Sequence, residues 1–343
     1  MRREDLLSRE VKHIEIDSFD STPIIEAFED MSFQARNLAR AAKIYDQMIS
    51  DSECTIILCL SGSIFSAGLK RAVHQLVSHN MVDVVVASGA VIVDQDFFEA
   101  LGFSHYRGTP LADDEMLRGM MIDRIYDTLI DENDLRECDM TVARIADGLP
   151  PGSYSSREFI AEMGRSLSEG GERPESVVLE CYEKGIPIFV PAFSDCSAGF
   201  GLVYHQSKRD GEKAIAIDSV KDFRELTRIK TLAAETGLLI IGGGVPKNFA
   251  QDVTVAAGIL GEAVSMHKYA VQITVADERD GSLSGSTLRE AHSWGKVDRG
   301  SAQMVFCEAT IAFPLIASYV YHAGNWRDRI PRDYNRALED AAK

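Results

Sequence analysis

The sequence predicts an α/β fold: a doubly wound, mostly parallel sheet with helices on both faces and a helical excursion. Three observations support this fold class. Short apolar runs recur along the chain, stretches with helical periodicity separate them, and small-residue turns follow two of the runs. Nearly continuous apolar runs are typical of strands buried on both faces, and such turns after them make the expected sheet Rossmann-like.

Strands and helices are predicted to alternate along the chain. Helical periodicity runs from Ile64 to His79 and again from Val220 to Thr236. Residues Gly102 to Glu175 carry more charge, glycine and proline, and short helical patterns such as EMLRGMMIDRIYDTLID predict a helical excursion there. The predicted strands are TIILCL from Thr55, VDVVVASG from Val82, IPIFVPAF from Ile186, AIAID from Ala214, LLIIGGG from Leu238, YAVQITVA from Tyr269 and QMVFCEA from Gln303.

The chain is expected to form one domain over residues 1–343, because no flexible Gly/Ser linker divides it. Residues 1–50 are predicted to form an N-terminal helical arm and residues 51–325 the α/β core. The charged N-terminus does not resemble a signal peptide, and no stretch offers roughly 18 uninterrupted apolar residues. The six cysteines form no Cys-x-x-Cys pair, so we expect reduced thiols in a soluble, cytoplasmic protein.

The net charge of -17 limits the classes of partner. Binding a nucleic-acid backbone needs clustered Lys and Arg, and binding a membrane needs an apolar or basic surface, so neither partner is expected. A cationic substrate fits this charge. A solvated acidic surface that keeps the protein soluble explains it equally simply, so charge permits an amine substrate without identifying one.

Two small-residue turns are candidates for a nucleotide site. Gly242, Gly243 and Gly244 follow an apolar run and precede Pro246, so their backbone amides could face a phosphate near a helix N-terminus. A second turn, SGSIFSAG over 61–68, also follows a strand and opens a helix. Neither is the GxGxxG fingerprint, and a tight strand-to-helix turn without a ligand would use the same glycines.

The polar segment from Asp277 to Lys296 ends in Trp294-Gly295-Lys296. A lysine beside a tryptophan could be partly desolvated, which would lower its pKa and make the amine a nucleophile towards an imine or carbonyl. A surface lysine lying over an aromatic ring would show the same pattern. No histidine pair has a metal-ligand spacing and no G-x-S-x-G motif occurs, so neither a metal nor a serine nucleophile is expected.

These residues resemble a known family. SWGK at 293–296, preceded by DGSLSG at 280–285, resembles the active-site loop of deoxyhypusine synthases. The resemblance covers about residues 15–322 and extends in order through six further segments. They are FQARNLARA from Phe33, LVSHNMVDVVV from Leu76, LRGMMIDRIYDTL from Leu117, PAFSDCSAG from Pro191, IIGGGVPK from Ile240 and FCEATIAFP from Phe306.

The resemblance implies a Rossmann-like homotetramer whose active sites lie at a dimer interface, with NAD bound by the core of residues 51–325. In such a site NAD oxidises a polyamine next to nitrogen, a lysine captures the imine, a second amine displaces the fragment, and the product is reduced. By position, Lys296 matches the imine-forming lysine. Trp294, Asp280, Ser282 and Glu290 match substrate positions, and the cofactor positions are Ser63, Ser66, Ser88, Gly89, Asp195, Gly242, Gly243, Gly244, Ser284, Glu308 and Ala309.

The positions that bind the amine depart from the family pattern. Asn248 replaces a substrate-binding histidine, Phe200 and Leu283 replace aspartates, and an acidic pair reads Asp94-Gln95. Losing one carboxylate partner of a buried ammonium costs about 3–5 kcal/mol. Spermidine bound in the usual manner is therefore expected to bind poorly. Either the polyamine sits differently, against Asp94, Asp277 or Glu290, or the substrate carries its charges elsewhere. The substituted positions Asn248, Asp94 and Gln95 are kept as candidate substrate-binding residues.

Three functions remain open from the sequence. The first is an NAD-dependent transferase with changed amine specificity, for example one that passes an aminobutyl group to a small diamine such as putrescine, as homospermidine-forming relatives do. The second is a deoxyhypusine synthase acting on a protein lysine. The third is a catalytically silent NAD-binding protein, which would bind NAD without forming an amine adduct.

Overall fold

The computed structural model describes residues 2–171, 173–209, 213–279 and 287–341. Its main sheet has six parallel strands: β1 (Cys54–Leu60), β2 (Val84–Ala87), β7 (Ile188–Phe189), β9 (Glu235–Ile241), β10 (His267–Thr274) and β11 (Val297–Phe306). Their order across the sheet is β11-β10-β9-β1-β2-β7, with β1 and β9 paired in the centre. Counted along the chain, this is the doubly wound order 3-2-1-4-5-6, so the predicted Rossmann-like fold is confirmed.

Helices cover both faces of the main sheet, as the continuous apolar strands require. Along β1, Ile56 and Leu58 join one hydrophobic core, whereas Ile57 and Cys59 join the other. The helices are α1 (Arg3–Leu6), α2 (Thr22–Glu29), α3 (Phe33–Ser50), α4 (Lys70–Ser78), α5 (Phe98–Ala100), α6 (Asp114–Gly119), α7 (Glu132–Asp147), α8 (Ser156–Glu169), α9 (Val177–Lys184), α10 (Ser197–Ser207), α11 (Ser219–Leu232), α12 (Gly244–Ile259), α13 (Leu288–Ala291), α14 (Ala309–Ala323) and α15 (Tyr334–Ala341). π-helical turns span Phe65–Leu69 and Ala90–Phe97, and 3₁₀ turns span His292–Trp294 and Asn325–Asp328.

The N-terminal residues pack against the rest of the chain at two places. Within α3, Ala42, Tyr45 and Met48 are fully buried in one of the two cores beside the main sheet. Further upstream, Val11 N donates to the His105 carbonyl at 2.8 Å, in an extended segment that precedes α2. Among the described residues, no helix is both long and apolar enough to cross a bilayer.

The excursion between β2 and β7 is not helical throughout, so the helical prediction for MMIDRIYDTLID was wrong. β3 (Tyr106–Arg107), which precedes α6, forms an antiparallel sheet with β4 (Ile122–Ile125) and β5 (Thr128–Asp131), which follow it, in the order β3-β5-β4. Met121 has φ 57°, which breaks the helical path, and Tyr126 has φ 51° in the two-residue turn between β4 and β5. The apolar residues that suggested a helix form a small separate core with Leu117.

The prediction that AIAID joins the main sheet was also wrong. Its residues form β8 (Ile215–Ile217), which pairs in parallel with β6 (Gly152–Tyr154) in a separate two-stranded sheet. The strand ends at Ile217, because Asp218 directly after it caps α11 by accepting from Val220 N and Lys221 N.

Candidate active site

A cavity of about 450 Å³ opens where the carboxyl ends of the central strands meet. Connections leave β1 and β9 towards opposite edges of the sheet, and a ligand site is expected at such a switch point. Loops after five of the strands line it, through Ser61, Ala87, Ser88, Gly89, Pro191, Ala192, Asp195, Gly242, Gly243, Gly244, Val245, Pro246, Gln272, Thr274 and Ala276. Six predicted cofactor residues therefore lie together: Ser88, Gly89, Asp195 and the three glycines.

The glycine turn brings the start of α12 to this cavity. Gly242 has φ 87°, and a Cβ there would lie 2.4 Å from Ser61 Oγ, so no other residue fits without a shift. Ser61 Oγ accepts from Gly243 N at 3.0 Å, which ties the turn after β9 to the end of β1. The N-terminus of a 16-residue helix thus faces the cavity, an arrangement that favours an anionic ligand group.

Two unpaired oxygens in the cavity wall fit a ligand that donates hydrogen bonds. Within the described ranges, Ser88 Oγ and Gln272 Oε1 are buried and have no hydrogen-bond partner. The amide nitrogen of Gln272 is fixed, since it donates to the Gly242 carbonyl at 3.0 Å. Buried polar atoms are rarely left unpaired, so the wall fits a nucleotide cofactor with amide and hydroxyl donors.

Carboxylates lie beside this cavity. Asp94 Oδ1 accepts from Ser197 N at 2.8 Å, while the Ser197 hydroxyl donates to Asp139. Burial, together with the nearby Asp139 and Asp195, raises the pKa of Asp94 to about 6 against the hydrogen bonds from Ser197. This cluster has a negative charge that a cationic amine would relieve, and Asp139 was not identified from the sequence.

The structure places Gln95 away from the cavity lining. Its Oε1 accepts from the backbone amides of Phe65 and Ser66, each at 2.9 Å. These bonds hold the π-helical turn after β1, and they give Gln95 a structural contact at the predicted cofactor residue Ser66.

Three further predicted cofactor residues border a second cavity of about 850 Å³. Ser63, Ser66 and Glu308 line it, and Ala309 begins α14 directly after Glu308. The Glu308 carboxylate caps that helix by accepting from Thr310 N at 2.9 Å. The predicted cofactor residues thus divide between two neighbouring cavities.

Lys296 lies at the amino-terminal ends of β10 and β11, opposite to the glycine turn. Its carbonyl accepts from His267 N at 2.9 Å. Its Nζ lies 2.5 Å from Asp252 Oδ1 and 5.2 Å from the centroid of the Trp294 ring. The amine is therefore held between a carboxylate on α12 and an exposed indole.

A second, buried lysine lies near this amine. Burial lowers the pKa of Lys247, in the first turn of α12, to about 8; Glu290 opposes this effect and Lys296 reinforces it. Glu290 Oε2 accepts from Thr287 N at 2.7 Å and caps α13. Asn248, next along α12, is half-buried.

Helix α12 connects the cavity to the lysine cluster. Gly244 lines the cavity, and Asp252, eight residues further, lies about 12 Å along the helix axis. Lys296 itself does not line the cavity. The predicted site residues Asp280, Ser282 and Ser284, and the substituted Leu283, lie outside the described residues.

Sequence reasoning missed Asp252, Lys247, Gln272 and Asp139. All four lie on regular secondary structure, where polar residues look like ordinary helix or strand residues. The two consecutive polar residues Gln251-Asp252 in α12 give no local signal of a lysine partner.

Comparisons with known proteins agree with one another. The family model described as deoxyhypusine synthase matches residues 23–320. The chain is 60% identical to a deoxyhypusine synthase-like protein of Chlorobaculum parvum over 99% of this chain and 97% of the relative. It is 55% identical to one of Coxiella burnetii, with 99% and 97% covered. A solved structure from Entamoeba histolytica, assigned to the deoxyhypusine synthases, shares the fold at a TM-score of 0.59 and 18% identity, with 94% and 99% covered.

Proposed function

We propose, from the premise that this chain belongs to the deoxyhypusine synthase family, that it transfers an aminoalkyl group between amines through an imine on Lys296. The position of the Lys296 amine between Asp252 and Trp294 carries the proposal. In the transfer step, neutral Nζ attacks the imine carbon of an oxidised amine. A C–N bond to Lys296 forms, the C–N bond to the departing amine breaks, and that amine takes a proton from Nζ.

NAD is the proposed cofactor, recycled within each turnover. When bound, it would supply a hydride acceptor for the amine and return the hydride to the product. Ser88, Gln272 and the turn Gly242–Gly244 would hold it in the smaller cavity, and Ser63, Ser66 and Glu308 would extend the site into the larger one. The helix N-terminus at Gly244 would face its phosphates.

The proposed substrates are a polyamine donor and a small diamine acceptor, with an aminobutyl group transferred as in homospermidine formation. Asp94, Asp139 and Asp195 give the cavity rim a negative charge suited to ammonium groups. Phe200, which replaces a family aspartate, is 69% exposed on α10 and offers no carboxylate. Amine recognition is therefore proposed to differ from that of deoxyhypusine synthases.

The proposed assembly is a cytoplasmic homotetramer with active sites at a dimer interface. In one chain the cavity and Lys296 lie towards opposite ends of the sheet, so hydride transfer and imine formation would be separated. The outer side of α12 exposes Val245, Val255 and Ile259, and Trp294, two residues before Lys296, is also exposed. Burying these apolar groups against a second copy would bring Lys296 of one subunit towards the cavity of the other.

Borohydride trapping tests the function. The protein is incubated with NAD and, separately, spermidine, putrescine or agmatine, then reduced and digested for peptide mass spectrometry. We expect an adduct on Lys296, whose mass identifies the transferred fragment, and none on Lys268, an ion-paired lysine that serves as an internal control. Absence of any adduct, with NAD binding demonstrated, would instead favour a silent NAD-binding protein.

A further inference from the structure

The carboxylate of Asp252 is the closest charged partner of the Lys296 amine. Its Oδ1 lies 2.5 Å from Nζ, and Lys296 is the one ionic partner of Asp252 within the described residues. The side chain of Asp252 is 40% exposed, whereas that of Lys296 is only 14% exposed. A second cation could therefore reach this carboxylate from solvent.

Other charged groups near Lys296 are already engaged or repel it. Lys247, also on α12, adds positive charge. Glu290 on α13 accepts two hydrogen bonds from Thr287. His292 bonds through Nδ1 with the Val297 carbonyl at 3.1 Å. Among the described residues, Asp252 is thus the acidic group placed to control the charge and direction of the Lys296 amine.

This ion pair opposes the proposed chemistry in the resting enzyme. Only a neutral amine attacks an imine, but a carboxylate within ion-pair distance stabilises the ammonium. Once the Lys296 nitrogen is part of an imine to the transferred group, its ion pair with Asp252 is weaker. The partly exposed carboxylate is then placed to pair with a terminal ammonium of the amine substrate.

We propose that Asp252 is a positioning residue with two successive partners: the Lys296 ammonium in the resting enzyme, and an ammonium group of the amine substrate during transfer. The inference rests on the proposed imine role of Lys296. It assigns an ammonium ligand to Asp252, a residue that is not among the site residues predicted from the sequence. It also supplies one acidic contact for an amine in a chain that lacks several family acids.

The first test measures the reactivity of Lys296 without NAD or any polyamine, so its outcome does not depend on the transferase activity. Wild type, Asp252→Asn, Asp252→Ser and Asp252→Glu are treated with propionaldehyde and cyanoborohydride from pH 6 to 10. Labelling of Lys296 is quantified by peptide mass spectrometry relative to Lys268. Asp51→Asn, which removes the carboxylate partner of Lys268 at 2.7 Å, is the matched control for losing an ion pair elsewhere.

We expect Asp252→Asn and Asp252→Ser to label Lys296 about tenfold faster at pH 7, with the pH profile displaced to lower pH. Asp252→Glu should retain the wild-type profile, and Asp51→Asn should leave Lys296 unchanged. A merely structural role would not move this profile in folded variants. If wild type, Asp252→Asn and Asp252→Ser gave equal profiles of Lys296 labelling against pH, the proposed pairing of Asp252 with the resting Lys296 ammonium would be overturned.

The second test measures binding of putrescine by calorimetry to Lys296→Ala, in which the Asp252 carboxylate has lost its internal partner. The double variant with Asp252→Asn should bind putrescine about tenfold more weakly, because a charge-assisted contact is lost. Equal dissociation constants would overturn the substrate-binding role.

Discussion

Two lysines near the start of β10 have opposite surroundings. Lys230 is 1% exposed, and its Nζ donates to Thr236 Oγ1 at 2.7 Å, in a chain that continues to His267 Nδ1 at 2.8 Å. Burial lowers its pKa to about 8. Lys296, whose carbonyl accepts from the same His267, is partly exposed and has a carboxylate and an indole beside its amine.

The difference shows that a lowered pKa does not by itself make a lysine nucleophilic towards a substrate. The pKa of Lys230 is lowered, but neither of the two cavities is lined by this lysine. Its amine donates to an internal hydrogen-bond chain. Lys296 has access and an acidic partner, but its surroundings favour the cation. We therefore assign stability to the Lys230 network and chemistry to Lys296.

The largest effect is expected from Lys296→Ala. Removing the nucleophile should lower transfer by roughly 10³-fold or more, because no other accessible amine can replace it in the step. NAD affinity, measured by calorimetry, should stay within about twofold of wild type because Lys296 does not line the cavity. Normal turnover by this variant would rule out the imine mechanism.

For Lys230→Ala we expect a loss of stability rather than a loss of the Lys296 reaction. This change leaves a cavity and removes the donor to Thr236 Oγ1, which keeps only its bond with His267, so the free energy of unfolding should fall by about 2–4 kcal/mol. Lys230→Met, which keeps the volume without an amine to bury, should lose less. Denaturant titration measures both, and loss of Lys296 trapping in folded Lys230→Met would break the comparison.

The pH dependence of stability separates the two lysines further. The pKa of Lys230 is lowered from an ordinary 10.5 to about 8, so between these values the unfolded chain binds more protons than the folded one. The contribution of Lys230 to the free energy of unfolding should therefore rise with pH across this window, by about 1–3 kcal/mol. Stability curves of wild type and Lys230→Met should run parallel below pH 8 and change their separation between pH 8 and 10.5, and a constant separation across that window would contradict the assignment.

The smallest expected effect comes from Trp294→Leu. The attraction between an exposed indole and an ammonium is worth about 0.5–1 kcal/mol, so removing it favours the neutral amine. Aldehyde labelling of Lys296 at pH 7 should rise about two- to fivefold, with Lys268 unchanged. Slower labelling would mean that the Trp294 ring orients the Lys296 amine rather than stabilising its charge.

Most of the fold could be predicted because its signals are local. Continuous apolar runs such as that from Thr55, followed by small-residue turns, indicate buried parallel strands whatever lies next to them. The region of β4 and β5 failed because its apolar spacing fits both a helix and a hairpin. The turn at Tyr126 decided between them, and its positive φ is not encoded by a glycine or asparagine.

The candidate site was predicted in part. The glycine turn at Gly242 and the Trp294-Gly295-Lys296 segment were identifiable, because each is a short motif whose chemistry depends on adjacent residues. Gln95 stands at a family position for an acid in the substrate site, yet its amide oxygen accepts hydrogen bonds from the backbone of a neighbouring turn. A position in the sequence does not reveal which direction its side chain faces.

By itself the sequence determined the order of the main strands along the chain and the turns that end them, and it singled out Lys296 as the proposed reactive lysine, since these follow from local patterns and a motif. Only the tertiary structure decided that Asp252 meets Lys296, that Gln272 presents an unpaired oxygen to the cavity, and that Lys230 is closed off. Each of these contacts joins residues distant along the chain. Their energies depend on burial and distance, which no local pattern of residues encodes.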